Sequence, residues 1–208
     1  MESDIQKRNP FWQSLLFTFS LISVLWIVKI YELLTHTSFV AYGILPKYIP
    51  GLRGVIFSPF IHGDLGHLFS NTVPCFILMI VLFNTYDRVA LYIIGVIHIL
   101  SGLMVWLFAP YGGSHIGISG IIYGIAGFLI GSGLFRKDRR SVSIAIVVTL
   151  LYGSMVGGFI PQEGVSWQGH LYGAVVGIVI AFFLRNIKLD DDDHRFTEPE
   201  EKEKHFFE

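Results

Sequence analysis

The sequence predicts an all-α, polytopic membrane protein folded as a bundle of six transmembrane helices. Hydrophobic residues make up 52% of the 208 residues and charged residues only 15%, whereas soluble domains carry about 25% charged residues. The apolar residues fall into runs of about 20, the length that a helix needs to cross about 30 Å of hydrocarbon. Most lysine and arginine residues lie next to the ends of these runs that face one side of the predicted membrane.

Six apolar runs satisfy the length criterion, and each is expected to be helical because backbone groups in hydrocarbon must be satisfied within their own segment. The spans run from about Phe11 to Leu34, Gly66 to Tyr86, Val89 to Phe108, Ser119 to Phe135, Val142 to Phe159 and Gly169 to Ile187. They divide the chain into an N-terminal tail (residues 1–10), a membrane domain (11–188) and an acidic, disordered tail (189–208).

The distribution of basic residues predicts the orientation of the spans. Those on one side of the predicted membrane are Lys7, Arg8, Arg88, Arg136, Lys137, Arg139, Arg140, Arg185 and Lys188. The opposite side holds only Lys47 and Arg53 in the first long connection. Because positive residues near span ends stay in the cytoplasm, both termini are expected to be cytoplasmic. Lys29 and Glu32 lie near the non-cytoplasmic end of the first span, where they are expected to snorkel to the interface.

The remaining composition narrows the class of function. The net charge of −1, without a basic stripe, does not favour nucleic-acid binding. Cys75 is the single cysteine, so an internal disulfide and a cysteine-built metal site are excluded. We expect no cofactor and no metal, and the partners are expected to be the lipid bilayer and other membrane proteins.

Two polar residues open predicted spans, where their cost makes them functional candidates. Ser119 stands in Gly117-Ile118-Ser119-Gly120 at the start of the fourth span, and His170 lies at the start of the sixth. The predicted topology puts both on the non-cytoplasmic side at similar depth. A hydroxyl next to an imidazole is the arrangement that activates a nucleophile through a general base.

Two further groups of residues support this pair. His67 and Asn71 are four residues apart, which places them on one helix face, and their N–H groups are suitable donors to an oxyanion, together with the backbone N–H of Ser119. Gly173 and Gly177 follow His170 on its own helix face and permit close approach of a neighbouring helix. If that neighbour is the fourth span, its complementary small residues are Gly120, Gly124, Gly127 and Gly131.

Taken together, the motifs resemble those of the rhomboid family of intramembrane serine proteases, over about Leu45 to Leu184. The matching positions are His62, His67 and Asn71 before and in the second span, Gly117, Ser119, Gly120 and Tyr123 in the fourth, and His170, Gly173 and Gly177 in the sixth. Each pattern is weak by itself, but their order on alternate spans is specific. The resemblance implies a rhomboid-like six-helix bundle.

The resemblance also implies a role for each matching residue. Ser119 would be the nucleophile and His170 the general base of a dyad without an acidic third member. Asn71 and His67 would form the oxyanion hole, and Tyr123 would pack against the imidazole. The implied activity is serine-type endopeptidase cleavage in or near transmembrane segments of membrane-protein substrates. The resemblance does not define the oligomeric state of the protein.

Three supporting positions follow from the same resemblance. His62, nearer the surface, would support the first connection and its hydrogen bonds, while Gly117 and Gly120 would let the backbone pass tightly beside the nucleophile. The first connection lacks the Trp-Arg pair of several rhomboids, so the resemblance is loose there. Its apolar residues are consistent with a half-buried hairpin in the interface.

Other interpretations remain open at this stage. Serine and histidine in membrane helices usually serve as interhelical hydrogen-bonding groups, and His98 and His115 are expected to be structural or loop residues. A catalytically inactive rhomboid-like protein would bind or escort membrane proteins, and a channel or transporter would line a path with the same polar residues. The acidic residues Glu2 and Asp4 do not suit an organelle transit peptide, which favours the plasma (inner) membrane of a prokaryote.

Overall fold

The structure, a computed structural model, describes residues 10–162 and 164–187, and this part of the chain contains helices and loops without a β-strand. Its α-helices are α1 (Pro10–Thr35), α2 (Arg53–Phe57), α3 (Leu65–Tyr86), α4 (Ala90–Phe108), α5 (Ser119–Arg136), α6 (Arg139–Tyr152) and α7 (Trp167–Phe183). Apart from Pro10, which begins α1, the two predicted tails lie outside the described residues.

Within the described residues, five helical segments are long and apolar enough to cross a membrane, which confirms the predicted multi-pass membrane protein. They are Phe11–Thr35, Leu65–Tyr86, Ala90–Phe108, Ser119–Arg136 and Arg139–Phe159. The sixth, α7, is apolar but only 17 residues long, at the lower end of the range for spanning helices. The count of six spans and the orientation of the termini stay predictions.

The predicted fifth span is not a continuous α-helix. After α6 ends at Tyr152, residues Gly153–Phe159 continue as 3-10 winding. Glycine is unfavourable in an α-helix interior, and this short run contains Gly153, Gly157 and Gly158. The change of winding matters for function because carbonyl groups of this run accept side-chain hydrogen bonds at the candidate site.

Helix α5 occupies the centre of the bundle, in contact with α3, α4, α6 and α7. Of its 18 residues, 13 are buried. Its contact with α7 is close because both helices carry small residues there: a Cβ on Gly173 would overlap the carbonyl oxygen of Gly120, and one on Gly177 would overlap that of Gly124. Glycine pairs of this kind bring two helix backbones into direct contact.

The connection between α1 and α3 forms short helical turns, including α2, and packs against α4. Val55 faces Gly102, where a Cβ would lie 3.0 Å from the valine side chain. His98, expected to be structural, places its Nε2 2.7 Å from the Val55 carbonyl oxygen. Since a carbonyl only accepts, Nε2–H donates and anchors the connection to α4.

The prediction that Lys29 and Glu32 snorkel to the interface is wrong. Their relative exposures are 7% and 4%, and Lys29 Nζ lies 3.1 Å from Glu32 Oε2. The ammonium also donates to the carbonyl oxygens of His62 and Gly63 at 3.0 and 2.9 Å. Because the end of the α1–α3 connection covers this face of α1, the two charges are satisfied by each other and by backbone groups.

Candidate active site

Ser119 and His170 meet where α5 and α7 begin. Ser119 is the first residue of α5 and His170 lies in the first turn of α7. The distance from Ser119 Oγ to His170 Nε2 is 2.8 Å, and both residues are buried. The close packing of α5 against α7 therefore brings together two side chains that lie 51 residues apart in the chain.

The other ring nitrogen of His170 fixes the direction of this hydrogen bond. His170 Nδ1 lies 2.8 Å from the carbonyl oxygen of Gly158, which can only accept, so Nδ1 carries the proton. In a neutral imidazole Nε2 is then an acceptor, and the Ser119 hydroxyl donates to it. This is the tautomer that a general base for Ser119 requires, and a backbone carbonyl holds it in the position where a triad has a carboxylate.

Tyr123 orients the imidazole from one turn further along α5. Its ring stacks on that of His170, with centroids 4.2 Å apart and planes 6° from parallel. The Tyr123 hydroxyl donates to the carbonyl oxygen of Met155 at 2.6 Å. The ring is therefore held at both its face and its tip.

The contribution of the 3-10 run Gly153–Phe159 to the site was not among the predictions. This run supplies both carbonyl acceptors, from Met155 and Gly158. A Cβ on Gly158 would overlap the Tyr123 hydroxyl and lie 2.9 Å from His170 Nδ1, so only glycine fits without movement. The available signal was the pair Gly157-Gly158 near the end of an otherwise apolar span.

His67 and Asn71 lie on α3 beside the start of α5. The amide nitrogen of Asn71 is buried and has no hydrogen-bond partner among the residues that the structure describes, so a donor is available. Both side chains border Gly117, where a Cβ would lie 2.9 Å from His67 Nε2 and 3.7 Å from Asn71 Nδ2. Gly117 has φ +102°, a value that favours glycine, and its lack of a side chain lets the α3 donors approach Ser119.

The first turn of α3 is held by Asp64, whose Oδ1 accepts the His67 N–H at 2.8 Å. This N-cap satisfies one of the free N–H groups at a helix start. The hydrogen bond from the His67 N–H lowers the pKa of the Asp64 carboxyl below its ordinary value, so Asp64 is ionised at neutral pH. An ionised cap also stabilises the positive end of the helix.

His62 does not take the position expected for it. It is 1% exposed rather than near the surface, and neither ring nitrogen has a hydrogen-bond partner within the described ranges. Its ring meets that of His67 edge-on, 5.1 Å between centroids, and its carbonyl accepts from Lys29. Burial, followed by the charges of His67 and Lys29, lowers the pKa of His62 to about 4.

Backbone bonds between loops hold the approach to Ser119 in place. Ile44 and His115 exchange two backbone hydrogen bonds of 2.9 Å, and the Gly117 N–H donates to the Ser58 carbonyl at 2.9 Å. His115 Nδ1 also lies 2.7 Å from Ser166 Oγ, just before α7. His115 is thus a loop residue, as expected, that ties together the segments preceding α5 and α7.

A cavity of about 720 Å³ opens onto these groups. Its lining includes His67, Asn71, Ser119, Tyr123 and His170. Met155 and the loop residues Gly164, Val165 and Ser166 form part of the wall. The nucleophile candidate, the base candidate and the donor candidates therefore face one space, large enough for several residues of an extended peptide.

The chain is similar to known proteins over most of its length. Residues 50–187 match the family model described as Rhomboid domain. An uncharacterized protein of Mycobacterium tuberculosis and one of Mycobacterium bovis are each 37% identical to this chain over 172 residues, which cover 78% of the chain and 72% of the relative. An uncharacterized protein of Mycobacterium leprae is 33% identical over 172 residues, covering 78% and 68%.

Proposed function

Because the chain belongs to the rhomboid family, we propose that it is an intramembrane serine endopeptidase that hydrolyses peptide bonds in or near transmembrane segments of membrane proteins. The observation that carries the proposal is the 2.8 Å hydrogen bond from Ser119 to His170 Nε2. Its direction is set by the Gly158 carbonyl on Nδ1. A serine held only for packing would not need an imidazole kept in one tautomer and one orientation.

In the proposed reaction, Ser119 Oγ attacks the scissile carbonyl carbon while His170 Nε2 takes the hydroxyl proton. The oxyanion of the tetrahedral intermediate accepts hydrogen bonds from Asn71 Nδ2, His67 and the backbone N–H of Ser119. The N–H groups of the first turn of a helix have no intrahelical partner, which leaves that of Ser119 available. His170 then protonates the leaving amine, and water hydrolyses the acyl-enzyme by the same two steps.

The unpartnered Asn71 amide supports the assignment of the oxyanion hole. A buried donor without a partner costs about 1–3 kcal/mol in desolvation, and this cost is recovered when the oxyanion forms. Such a donor stabilises the transition state more than the ground state, which is what accelerates a reaction. Removing one donor of this kind typically lowers kcat by about a hundredfold to a thousandfold.

The proposed topology has six spans, with α7 as the sixth and both termini in the cytoplasm. The candidate site then opens to the non-cytoplasmic side, because α3, α5 and α7 all begin there. The bacterial origin of the relatives supports the plasma membrane as the location. Ordinary membrane helices of 17 to 25 residues span the bilayer, so the length of α7 is compatible with this count.

We propose that the substrate reaches the cavity sideways from lipid, past the segment Arg139–Phe159 and the loop that follows it. Of an 18-residue apolar stretch in this segment only 6% is buried, compared with 72% for the corresponding stretch of α5. Few buried contacts make a segment easier to displace. Its displacement would also move the Met155 and Gly158 carbonyls, so substrate binding and alignment of His170 would be coupled.

The test is cleavage of a fluorogenic transmembrane peptide by purified protein in detergent micelles. Wild type should cleave, while Ser119→Ala and His170→Ala should not. Ser132→Ala is the matched control, because Ser132 is another buried serine on α5, far along the helix from His170, and it should cleave at the wild-type rate. Binding of the peptide by wild type without any cleavage would instead identify an inactive rhomboid-like protein that escorts membrane proteins.

A further inference from the structure

We propose that Lys29 on α1 is a positioning residue that holds the oxyanion-binding start of α3 in register with Ser119. The inference rests on the proposed function and adds a residue that lies outside the matched Rhomboid domain. Lys29 itself does not line the cavity, and of its hydrogen-bond partners only Gly63 does, through the backbone carbonyl that Lys29 holds. Its effect on catalysis would therefore pass through the backbone that precedes His67 and Asn71.

The Lys29 ammonium has a complete set of partners. It donates to Glu32 Oε2 at 3.1 Å and to the carbonyl oxygens of His62 and Gly63 at 3.0 and 2.9 Å. Three acceptors match the three N–H donors of an ammonium group. With 7% exposure, the group has exchanged its water for these three contacts.

The Glu32 carboxylate extends the same cluster to the other end of the α1–α3 connection. Its Oε1 accepts the backbone N–H of Phe39, and the Glu32 carbonyl accepts that of Thr37. We call Lys29, Glu32 and these backbone partners the Lys29 clamp. The clamp thus fixes both the beginning and the end of the connection to a single turn of α1.

The end of the connection is the part that bears on catalysis. His62 and Gly63 directly precede Asp64, the N-cap whose Oδ1 accepts the His67 N–H at 2.8 Å. Asn71 follows one turn later on the same rigid helix. A shift of the two clamped carbonyls therefore moves the N-cap and, with it, both oxyanion donors relative to Ser119.

A buried ion pair is a costly way to stabilise a helix contact. Taking two charges out of water costs several kcal/mol per ion, and well-packed apolar residues often give equal or greater stability. Apolar side chains, however, cannot hold two carbonyl oxygens at defined positions. Hydrogen bonds to a charged donor are strong and directional, which is what positioning of the oxyanion donors requires.

Two variants separate the role of Lys29 in alignment from its role in stability. Lys29→Met removes the clamp and leaves Glu32 as an unpaired buried charge, so the variant should lose both stability and activity. The double variant Lys29→Met/Glu32→Met removes both charges and should regain stability. It still lacks the donor to the His62 and Gly63 carbonyls, so its activity should stay low.

The experiment measures kcat and KM for the fluorogenic transmembrane peptide, together with thermal unfolding, with kcat referred to the folded fraction. The double variant should unfold near the wild-type temperature, keep KM within about twofold and lose between about tenfold and a hundredfold in kcat, the range for misplacement by up to about 1 Å. Thr18→Val is the control: Thr18 is buried on α1, its hydroxyl has no partner in the described part of the chain, and kcat should not change.

Hydrogen exchange of the amides of residues 62–71 gives a readout that does not depend on catalysis. Exchange should be faster in both methionine variants than in wild type and unchanged in Thr18→Val. A stable double variant with the kcat of wild type would overturn the role of Lys29, as would unchanged exchange in this segment. A wild-type protein that cleaves nothing would instead refute the proposed function itself.

Discussion

The substitution Gly127→Ala tests whether the spacing of α5 and α7 controls the candidate dyad. Gly127 lies two turns after Ser119, and a Cβ there would be 2.6 Å from the carbonyl oxygen of Ala174 and 3.1 Å from its Cα. Both are backbone atoms, so no rotamer change relieves the overlap. Ordinary contact begins at 3.4 Å, and the helices must therefore separate by about 0.8 Å.

The magnitude of the effect follows from this separation. Ala174 is one turn after His170, so most of the displacement is transmitted to the imidazole. The Ser119 Oγ to His170 Nε2 distance of 2.8 Å would grow by at most this 0.8 Å, to about 3.6 Å, a distance beyond hydrogen-bond range. Misplacement of about 1 Å can cost about a hundredfold in rate, and we expect a loss of kcat between about thirtyfold and a hundredfold.

The assay is cleavage of the fluorogenic transmembrane peptide, with thermal unfolding measured alongside. Gly95→Ala on α4 is the matched control, since a Cβ at Gly95 meets no atom within 4 Å. Alanine favours the helix over glycine by about 1 kcal/mol, so Gly95→Ala should be fully active and at least as stable as wild type. Full activity of Gly127→Ala would refute the argument that helix spacing aligns the dyad.

Three further outcomes are expected. Gly173→Leu should abolish cleavage, because even its Cβ overlaps the Gly120 carbonyl; an active variant in detergent would contradict the small-residue packing. Tyr123→Phe keeps the ring and loses one hydrogen bond, so kcat should fall by less than about tenfold, while Tyr123→Ala should lose more. A Tyr123→Ala variant with the kcat of wild type would exclude a positioning role for the Tyr123 ring. Since the pKa of His62 is about 4 in the folded state and 6.5 in the unfolded state, wild-type stability should be full above about pH 6.5 and decrease as the pH falls toward 4. The free energy of unfolding should fall by about 3 kcal/mol in this range. When unfolding is measured at several pH values, His62→Phe should lack this part of the pH dependence.

The helices and the proximity of Ser119 to His170 could be predicted from the sequence because their signals are local. Apolar runs of about 20 residues indicate membrane spans, and glycines at spacings of three to four residues indicate a face that a second helix can approach. Ser119 and His170 each open such a run, and helix packing then leaves little freedom in their separation. The glycines that permit the approach stand in the same two motifs.

The surroundings of the charged and histidine side chains, and the backbone acceptors at the site, depend on tertiary contacts that no short sequence pattern encodes. Lys29 and Glu32 resemble snorkelling residues at a span end until the connection after α1 folds back over them. His62 was expected nearer the surface, but its ring is buried against that of His67. The Met155 and Gly158 carbonyls are backbone groups, and only the change from α-helix to 3-10 winding at Gly153 turns them toward Tyr123 and His170.

The most direct test of the central claim is covalent labelling of the nucleophile. Wild-type protein is treated with a fluorophosphonate and digested, and the modified peptide is identified by mass spectrometry. A serine activated by His170 predicts one adduct, on Ser119, that is absent from His170→Ala and retained in Ser132→Ala. An unlabelled wild type, or labelling of Ser119 that persists in His170→Ala, would contradict the account.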